Sequence, residues 1–257
     1  MSHWALVTGG SRNIGAAIAR RLRADGYKVM VSSRTPPEHA DFDEFVEADF
    51  TVPEAAAAAV AERIGDRAFT RFVHNAGLGI MRTGTEVPME EFNRVFAVNT
   101  ASFVALAQTL IPAMKREGVG RIAAIGSRAA LGKEGRLSYT TSKAALSGMV
   151  RTWALELGAY GITINVVAPG PIKTDMYDIN NPVGSHARKM LSDGIPAGFL
   201  GVPEDVANTV SFFMADQARY VTGQTLMVCG GTSIAFVDPN RGSVAHRYSG
   251  VYPETGQ

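Results

Sequence analysis

The sequence predicts an α/β fold: one domain built on a doubly wound, mostly parallel sheet of about seven strands flanked by helices. Three observations carry this. Short apolar runs alternate with helically spaced segments as far as residue 230, with no linker or repeat between them. A glycine-rich turn joins the first strand to the first helix. Polar or glycine-bearing segments recur where later strands end, the edge at which open α/β sheets bind ligands.

Trp4 to Val7 is the first apolar run, and Ala16 to Ala24 repeats at helical spacing. Between them lies Thr8-Gly9-Gly10-Ser11-Arg12-Asn13-Ile14-Gly15. Glycines let the backbone turn sharply and approach a ligand, and a helix N-terminus favours phosphate. Gly9, Ser11, Arg12, Asn13, Ile14 and Gly15 are therefore candidate cofactor contacts. The spacing is not G-x-G-x-x-G, so a plain strand-to-helix turn stays open at this point. Lys28 to Ser32 is the second strand. Ser33-Arg34 follows it where an acidic residue would hold a ribose 2′-hydroxyl, and none is present. Arg34, supported by Arg12, suits the 2′-phosphate of NADP, or else both arginines are solvated. NADP(H) is preferred on this ground, with NAD(H) as the alternative. The third strand, Glu44 to Ala48, delivers Asp49 within reach of an adenine.

Pro53 to Ile64 reads as a helix with proline in its first turn. Thr70 to His74 is the fourth strand, running into Asn75-Ala76-Gly77, which is either a ligand loop or a turn with its glycine left-handed. Met89 to Lys115 reads as one long helix. Asn99, near its middle among apolar neighbours, needs a partner, as a structural bracket or a holder of water. Arg121 to Ile125 is the fifth strand and delivers Gly126-Ser127 to the same edge. Ser138 to Ala159 is a helix on which Tyr139 and Lys143, four apart, share one face, and the adjacent cation is expected to lower the phenol's pKa. Thr163 to Val167 is the sixth strand, ended by Ala168-Pro169-Gly170-Pro171. Residues 171–200, with Gly184, Gly194, Pro196 and Gly198, read as a lid bearing one short helix. Pro203 to Met214 is the last helix and Gln224 to Val228 the seventh strand. Residues 1–235 thus form one dinucleotide-binding catalytic domain, and the polar, aperiodic 236–257 is a C-terminal extension rather than an independent domain.

Apolar residues at 46% and charged residues at 19% describe an ordinary folded domain. A net charge of +1 without a basic tract argues against nucleic acid. No uncharged apolar run is long enough for a membrane span, and no basic-then-apolar leader is visible, so a cytoplasmic protein acting on a small molecule is expected. Cys229 is the only cysteine, which excludes an intrachain disulfide and a cysteine-rich metal site. No metal is expected.

Taken together, the segments resemble the short-chain dehydrogenase/reductase family over about residues 4 to 232. Thr8-Gly9 through Gly15 looks like that family's cofactor turn, Asn75-Ala76-Gly77 its Asn-Ala-Gly element, Asn99 its helix-four asparagine, and Ser127, Tyr139 and Lys143 its catalytic core. Pro169, Gly170, Ile172 and Thr174 resemble its segment at the nicotinamide end of the cofactor. The resemblance implies a Rossmann-type fold and hydride transfer between NADP(H) and a carbonyl or secondary alcohol, with reduction of a 3-oxoacyl or a small or cyclic ketone foremost. Ser127 then binds the substrate oxygen, Tyr139 exchanges the proton, Lys143 holds the ribose and tunes Tyr139, and Asn99 supports a water leading to Lys143. An NAD-dependent secondary alcohol dehydrogenase is the alternative, and a catalytically silent dinucleotide sensor the remote one.

The family often assembles as tetramers through the two helices here at 89–115 and 138–159, so a homotetramer or homodimer through them is expected. Its turn usually has glycine where this chain has Asn13. Asparagine is the next most tolerant of the left-handed conformation, so the turn is expected to survive. His74 stands where an asparagine is frequent and is expected to be packed or capping. Arg128, Met176 and Tyr177 are the candidate substrate contacts. Arg128 together with Lys133, Glu134 and Arg136 forms a charged stretch that either receives an acidic substrate or is a solvated rim.

Overall fold

Neighbouring residues of β1 (Trp4–Thr8) go to opposite sides of the sheet: Leu6 enters one core, Ala5 and Val7 another. A strand buried on both faces must be apolar throughout rather than alternating, which is what the sequence shows. The computed structural model describes residues 3–235, and the extension at 236–257 lies outside them. After β1 come α1 (Asn13–Ala24), β2 (Lys28–Ser33), β3 (Glu44–Glu47), α2 (Pro53–Ile64) and β4 (Phe69–His74). Then follow α3 (Met89–Phe96), α4 (Ser102–Glu117), β5 (Gly120–Ile125), α5 (Leu137–Leu157) and β6 (Ile162–Pro169). Last are α6 (Asp175–Asn180), α7 (His186–Asp193), α8 (Pro203–Met214) and β7 (Thr225–Val228).

The sheet order is β3-β2-β1-β4-β5-β6-β7, with every neighbouring pair parallel. The winding reverses between β1 and β4, so a crevice opens at their carboxyl ends. Ile18 and Leu22 of α1 and Val206, Val210 and Phe213 of α8 cover one face. Val60 of α2, Leu106 and Leu110 of α4 and Leu146 and Val150 of α5 cover the other. The seven strands stand where the sequence predicts them, with ends shifted by one or two residues.

Two expectations are corrected. The long helix predicted over 89–115 is not uniform, because a π turn at Ala97–Ala101 separates α3 from α4. The lid carries two short helices, α6 and α7, rather than one. Thr174 caps α6 by accepting from Tyr177 N at 3.3 Å, and Ser185 caps α7 by accepting from Arg188 N at 3.2 Å. These hydroxyls satisfy amides that short helices otherwise leave open. The run Met89–Glu117 is apolar and long enough by length and composition to cross a membrane, but Phe103, Leu106, Leu110 and Met114 are buried against the sheet, as in a core helix.

Candidate active site

The glycine turn is built against the Asn-Ala-Gly segment. Thr8 Oγ1 accepts the amides of Asn75 and Ala76, both at 3.0 Å, and Asn75 Nδ2 donates to Gly9 O at 2.9 Å. The fit excludes larger residues: a β-carbon on Gly15 would fall 2.1 Å from Gly9 O and 2.6 Å from Asn75 Nδ2. Gly9 is left-handed at φ 62°. No side chain caps α1 and no acid stands in its first turn, whereas α2 and α8 both begin with acids. The backbone amides at the electropositive end of α1 are thus free of a side-chain cap, although the Asp175 carboxylate of the lid lies beside them on Asn13. These residues fit a dinucleotide pyrophosphate.

Asn13 is left-handed at φ 50° and is the one non-glycine residue in that region among those described. Its amide also ties the turn to the lid. Nδ2 donates to Asp175 Oδ2 at 2.8 Å, and Asp175 N lies 3.4 Å from Asn13 Oδ1. Arg12 Nε stands 3.9 Å from the same carboxylate. Asn13→Ala is expected to cost about 1–2 kcal/mol of stability through the left-handed backbone alone, and Asn13→Gly less, which urea unfolding of both variants measures.

At the carboxyl end of β5, Ser127 takes an extended backbone and caps a short 3₁₀ turn, its Oγ accepting from Ala129 N at 3.1 Å. The same hydroxyl hydrogen-bonds Tyr139, which favours the phenolate. Burial outweighs that pull and the charge of Arg136, and it lifts the phenol above its ordinary value. This corrects the expectation that Lys143 lowers it. Lys143 Nζ donates to Ile125 O at 2.6 Å and stands 6.0 Å from the Tyr139 ring centroid. Burial brings Lys143 down to about 8.

Asn99 is a bracket. Its Oδ1 accepts from Leu78 N at 2.7 Å, and its Nδ2 donates to Leu78 O and Ser142 Oγ, both at 2.9 Å. Both of its side-chain donors are engaged, and its Oδ1, which accepts one bond, keeps a second lone pair. Holding Asn99 in this register accompanies the π turn, a feature that often marks functional sites.

His74 joins the pieces from below. It is fully buried, stacked on Phe103 at 5.3 Å, with Nδ1 3.2 Å from Thr8 Oγ1. Because that hydroxyl already accepts two amides, its proton goes to Nδ1, and the imidazole is neutral with its own proton on Nε2. Among the described residues Nε2 has no partner at full hydrogen-bond geometry, although the backbone of Val98 and Asn99 is near enough to favour the protonated ring slightly. Burial, then the charge of Lys143, pushes His74 down to about 3.

The remaining predicted residues divide. Arg34 is exposed past β2, and its charge reaches Asp49, whose carboxyl is held below its ordinary value first by hydrogen bonding from Thr51. Gly170 packs so closely that a β-carbon would lie 2.6 Å from Cys229 Cβ, and Ile172 is bridged to Gly201. Pro169 ends β6 beside them. Tyr177 is buried under the Arg188 guanidinium at 5.2 Å, as lid packing, whereas Met176 is exposed. Arg128 is half-buried. Sequence reasoning missed His39, whose Nε2 lies 2.9 Å from Gly10 O, and Asp175, the partner of Asn13. Neither belongs to a motif, and only the folded loop brings either to the turn.

A family model described as enoyl-(acyl carrier protein) reductase matches residues 9–233. A 3-oxoacyl-[acyl-carrier-protein] reductase FabG of Aggregatibacter actinomycetemcomitans is 36% identical over 245 residues, covering 90% of this chain and 99% of that protein. The short-chain reductase protein NovJ of Streptomyces niveus is 34% identical over 244 residues, covering 88% and 92%. Among solved structures, a blue fluorescent protein from a metagenomic library in complex with NADPH superposes with a TM-score of 0.81 at 35% identity, covering 90% of this chain and 97% of that one. The ligand-free aldohexose dehydrogenase of Thermoplasma acidophilum gives 0.84 at 28% identity, covering 91% and 95%.

Proposed function

The chain belongs to the short-chain dehydrogenase/reductase family of oxidoreductases, and from that premise we propose that it reduces a ketone of the 3-oxoacyl or small or cyclic kind to a secondary alcohol. The observation that carries this reading is the meeting of Ser127, Tyr139 and buried Lys143 at the carboxyl end of β5, beside a glycine turn whose helix has no side-chain cap. Bound NADPH supplies the hydride. Gly9, Ser11, Ile14 and Gly15 would hold its pyrophosphate, Arg12 and Arg34 its 2′-phosphate, Asp49 its adenine, and Asn75 to Gly77, Lys143, Ile172 and Thr174 its nicotinamide half. The NADPH of the metagenomic relative supports the choice of cofactor. The 3-oxoacyl class rests on the names of the curated relatives.

In this reading Ser127 orients the carbonyl oxygen and Tyr139 Oη gives it a proton. The raised phenol stays protonated through neutral pH, as a proton donor must. Lys143 titrates first, near 8, so kcat/KM for reduction is expected to be level below about pH 8 and to fall above it as the ammonium loses its proton. A profile level to pH 10 counts against that role of Lys143. The cofactor choice has its own test: kcat/KM favours NADPH over NADH, and Arg34→Asp narrows the gap, whereas equal use of both cofactors by the native chain contradicts the reading of Arg12 and Arg34. We place the chain in the cytoplasm as a homotetramer or homodimer through residues 89–115 and 138–159, and a monomer by light scattering contradicts that assembly.

A further inference from the structure

A guanidinium taken out of water needs a counter-charge or a full set of acceptors. Among the described residues three arginines are less than a tenth exposed: Arg71 at 1%, Arg121 at 3% and Arg136 at 7%. The first two meet the requirement. Facing each other on β4 and β5, they share Asp216 Oδ1 at 2.8 and 3.4 Å and donate to backbone carbonyls around the end of α8. Arg136 differs: no ion pair or side-chain hydrogen bond engages it among the described residues, and although the residue is mostly buried its guanidinium nitrogens still reach solvent.

The position of Arg136 is set by the backbone. It bridges to Arg82, whose amide donates to Gly135 O at 3.0 Å, and its own carbonyl accepts from Thr140 N at 2.7 Å. Arg82 already holds Glu91 at 2.8 Å. The Arg136 guanidinium borders the catalytic phenol: a β-carbon on Gly79 would lie 3.2 Å from Arg136 Nη1 and 3.3 Å from Tyr139 Cδ2. A larger residue at 79 would have to push the guanidinium or the phenol ring aside by a few tenths of an ångström. More cations stand close by, since burial first and then the charges of Arg136 and Arg128 hold Lys133 below the ordinary lysine range. Within the charged stretch singled out in the sequence, Arg136 is the buried member, with only a small part of its side chain open to water.

We propose that Arg136 is a specificity-determining residue that holds the carboxylate of a short-chain oxo acid beside Tyr139. The proposal rests on the ketone-reductase reading and narrows its substrate to a free acid whose carboxylate lies a few bonds from the carbonyl. The carboxylate supplies the missing counter-charge and is unchanged by the reaction. Hydride from NADPH goes to the carbonyl carbon, the proton of Tyr139 Oη goes to its oxygen, and the products are the hydroxy acid and NADP⁺.

The test compares 3-oxobutanoate with its ethyl ester under NADPH, in the native chain, Arg136→Gln and Arg136→Lys, with NADPH binding as the check on folding. The native chain is expected to favour the acid, and the acid-to-ester ratio of kcat/KM to fall at least about 30-fold in Arg136→Gln and to recover in part in Arg136→Lys. A ratio equal in the native chain and Arg136→Gln, with the ester reduced, overturns the role of Arg136 and leaves the reductase reading standing. If neither compound is reduced, binding of the non-reacting butanoate to the NADPH-loaded protein decides. Binding lost in Arg136→Gln upholds the carboxylate site, and no binding by the native chain overturns it.

Discussion

Tyr139→Phe is expected to lower kcat for ketone reduction by about 10²–10⁴-fold while leaving NADPH binding in place. The ring that borders Gly79 and Arg136 is retained in phenylalanine, so packing changes little. What is lost is the Oη proton, together with the hydrogen bond to Ser127. Because burial holds the phenol above its ordinary value, the native residue is protonated throughout the neutral range, and the loss is expected to be similar at pH 6 and pH 8. Single-turnover NADPH oxidation by the variant measures it. Turnover within tenfold of the native chain would remove Tyr139 from the proton-transfer step.

The second large effect is on acid stability and comes from His74. Its folded pKa, about 3, lies below the ordinary 6.5 because burial disfavours the imidazolium. Between those values the unfolded chain binds a proton that the folded chain does not, so stability is lost as pH falls from 6.5 toward 3. Each pH unit removes about 1.4 kcal/mol, roughly 3 kcal/mol by pH 4. His74→Asn puts a side chain that does not titrate in the same place. Replacement also disturbs the stacking on Phe103, so the pH 7 stability alone decides nothing. The expected result is a smaller drop in urea midpoint from pH 7 to pH 4 in the variant, and an equal drop in both proteins contradicts the account.

Much of the architecture was legible because each strand is a short apolar run ended by a turn signal, and parallel strands buried on both faces require that pattern. The glycine turn was legible for the same kind of reason. A β-carbon at Gly15 cannot be accommodated, so the residue type reports the close approach directly. Spacing also placed Tyr139 and Lys143 on one helix face, yet it misjudged how they interact. The direction of the Lys143 ammonium is set by the Ile125 carbonyl, eighteen residues earlier in the chain, and no local pattern encodes that. Asn99 signalled its need for partners, but the π turn that accompanies them leaves no mark in an apolar helical repeat. Arg136 looked like its charged neighbours because burial is a property of the folded loop.

The lid was underread for another reason. Its two helices are short and held by caps, with Arg188 pairing Asp178 at 2.6 Å and covering Tyr177, so little apolar periodicity is present to reveal them. The Asn13–Asp175 contact joins this lid to the cofactor turn across 162 residues of sequence. A substitution that weakens the family's glycine pattern thus has a structural use in this chain.

The central claim is that this site reduces a ketone with NADPH, and the most direct measurement is NADPH consumption by the purified chain across 3-oxoacyl thioesters, small and cyclic ketones, free oxo acids and 2-enoyl thioesters, with identification of the product. The account predicts that NADPH is consumed one-for-one with a secondary alcohol from at least one of the carbonyl compounds, and that Tyr139→Phe abolishes most of that consumption. Reduction confined to the enoyl carbon–carbon bond, or tight NADPH binding without turnover of any member of the panel, would contradict it.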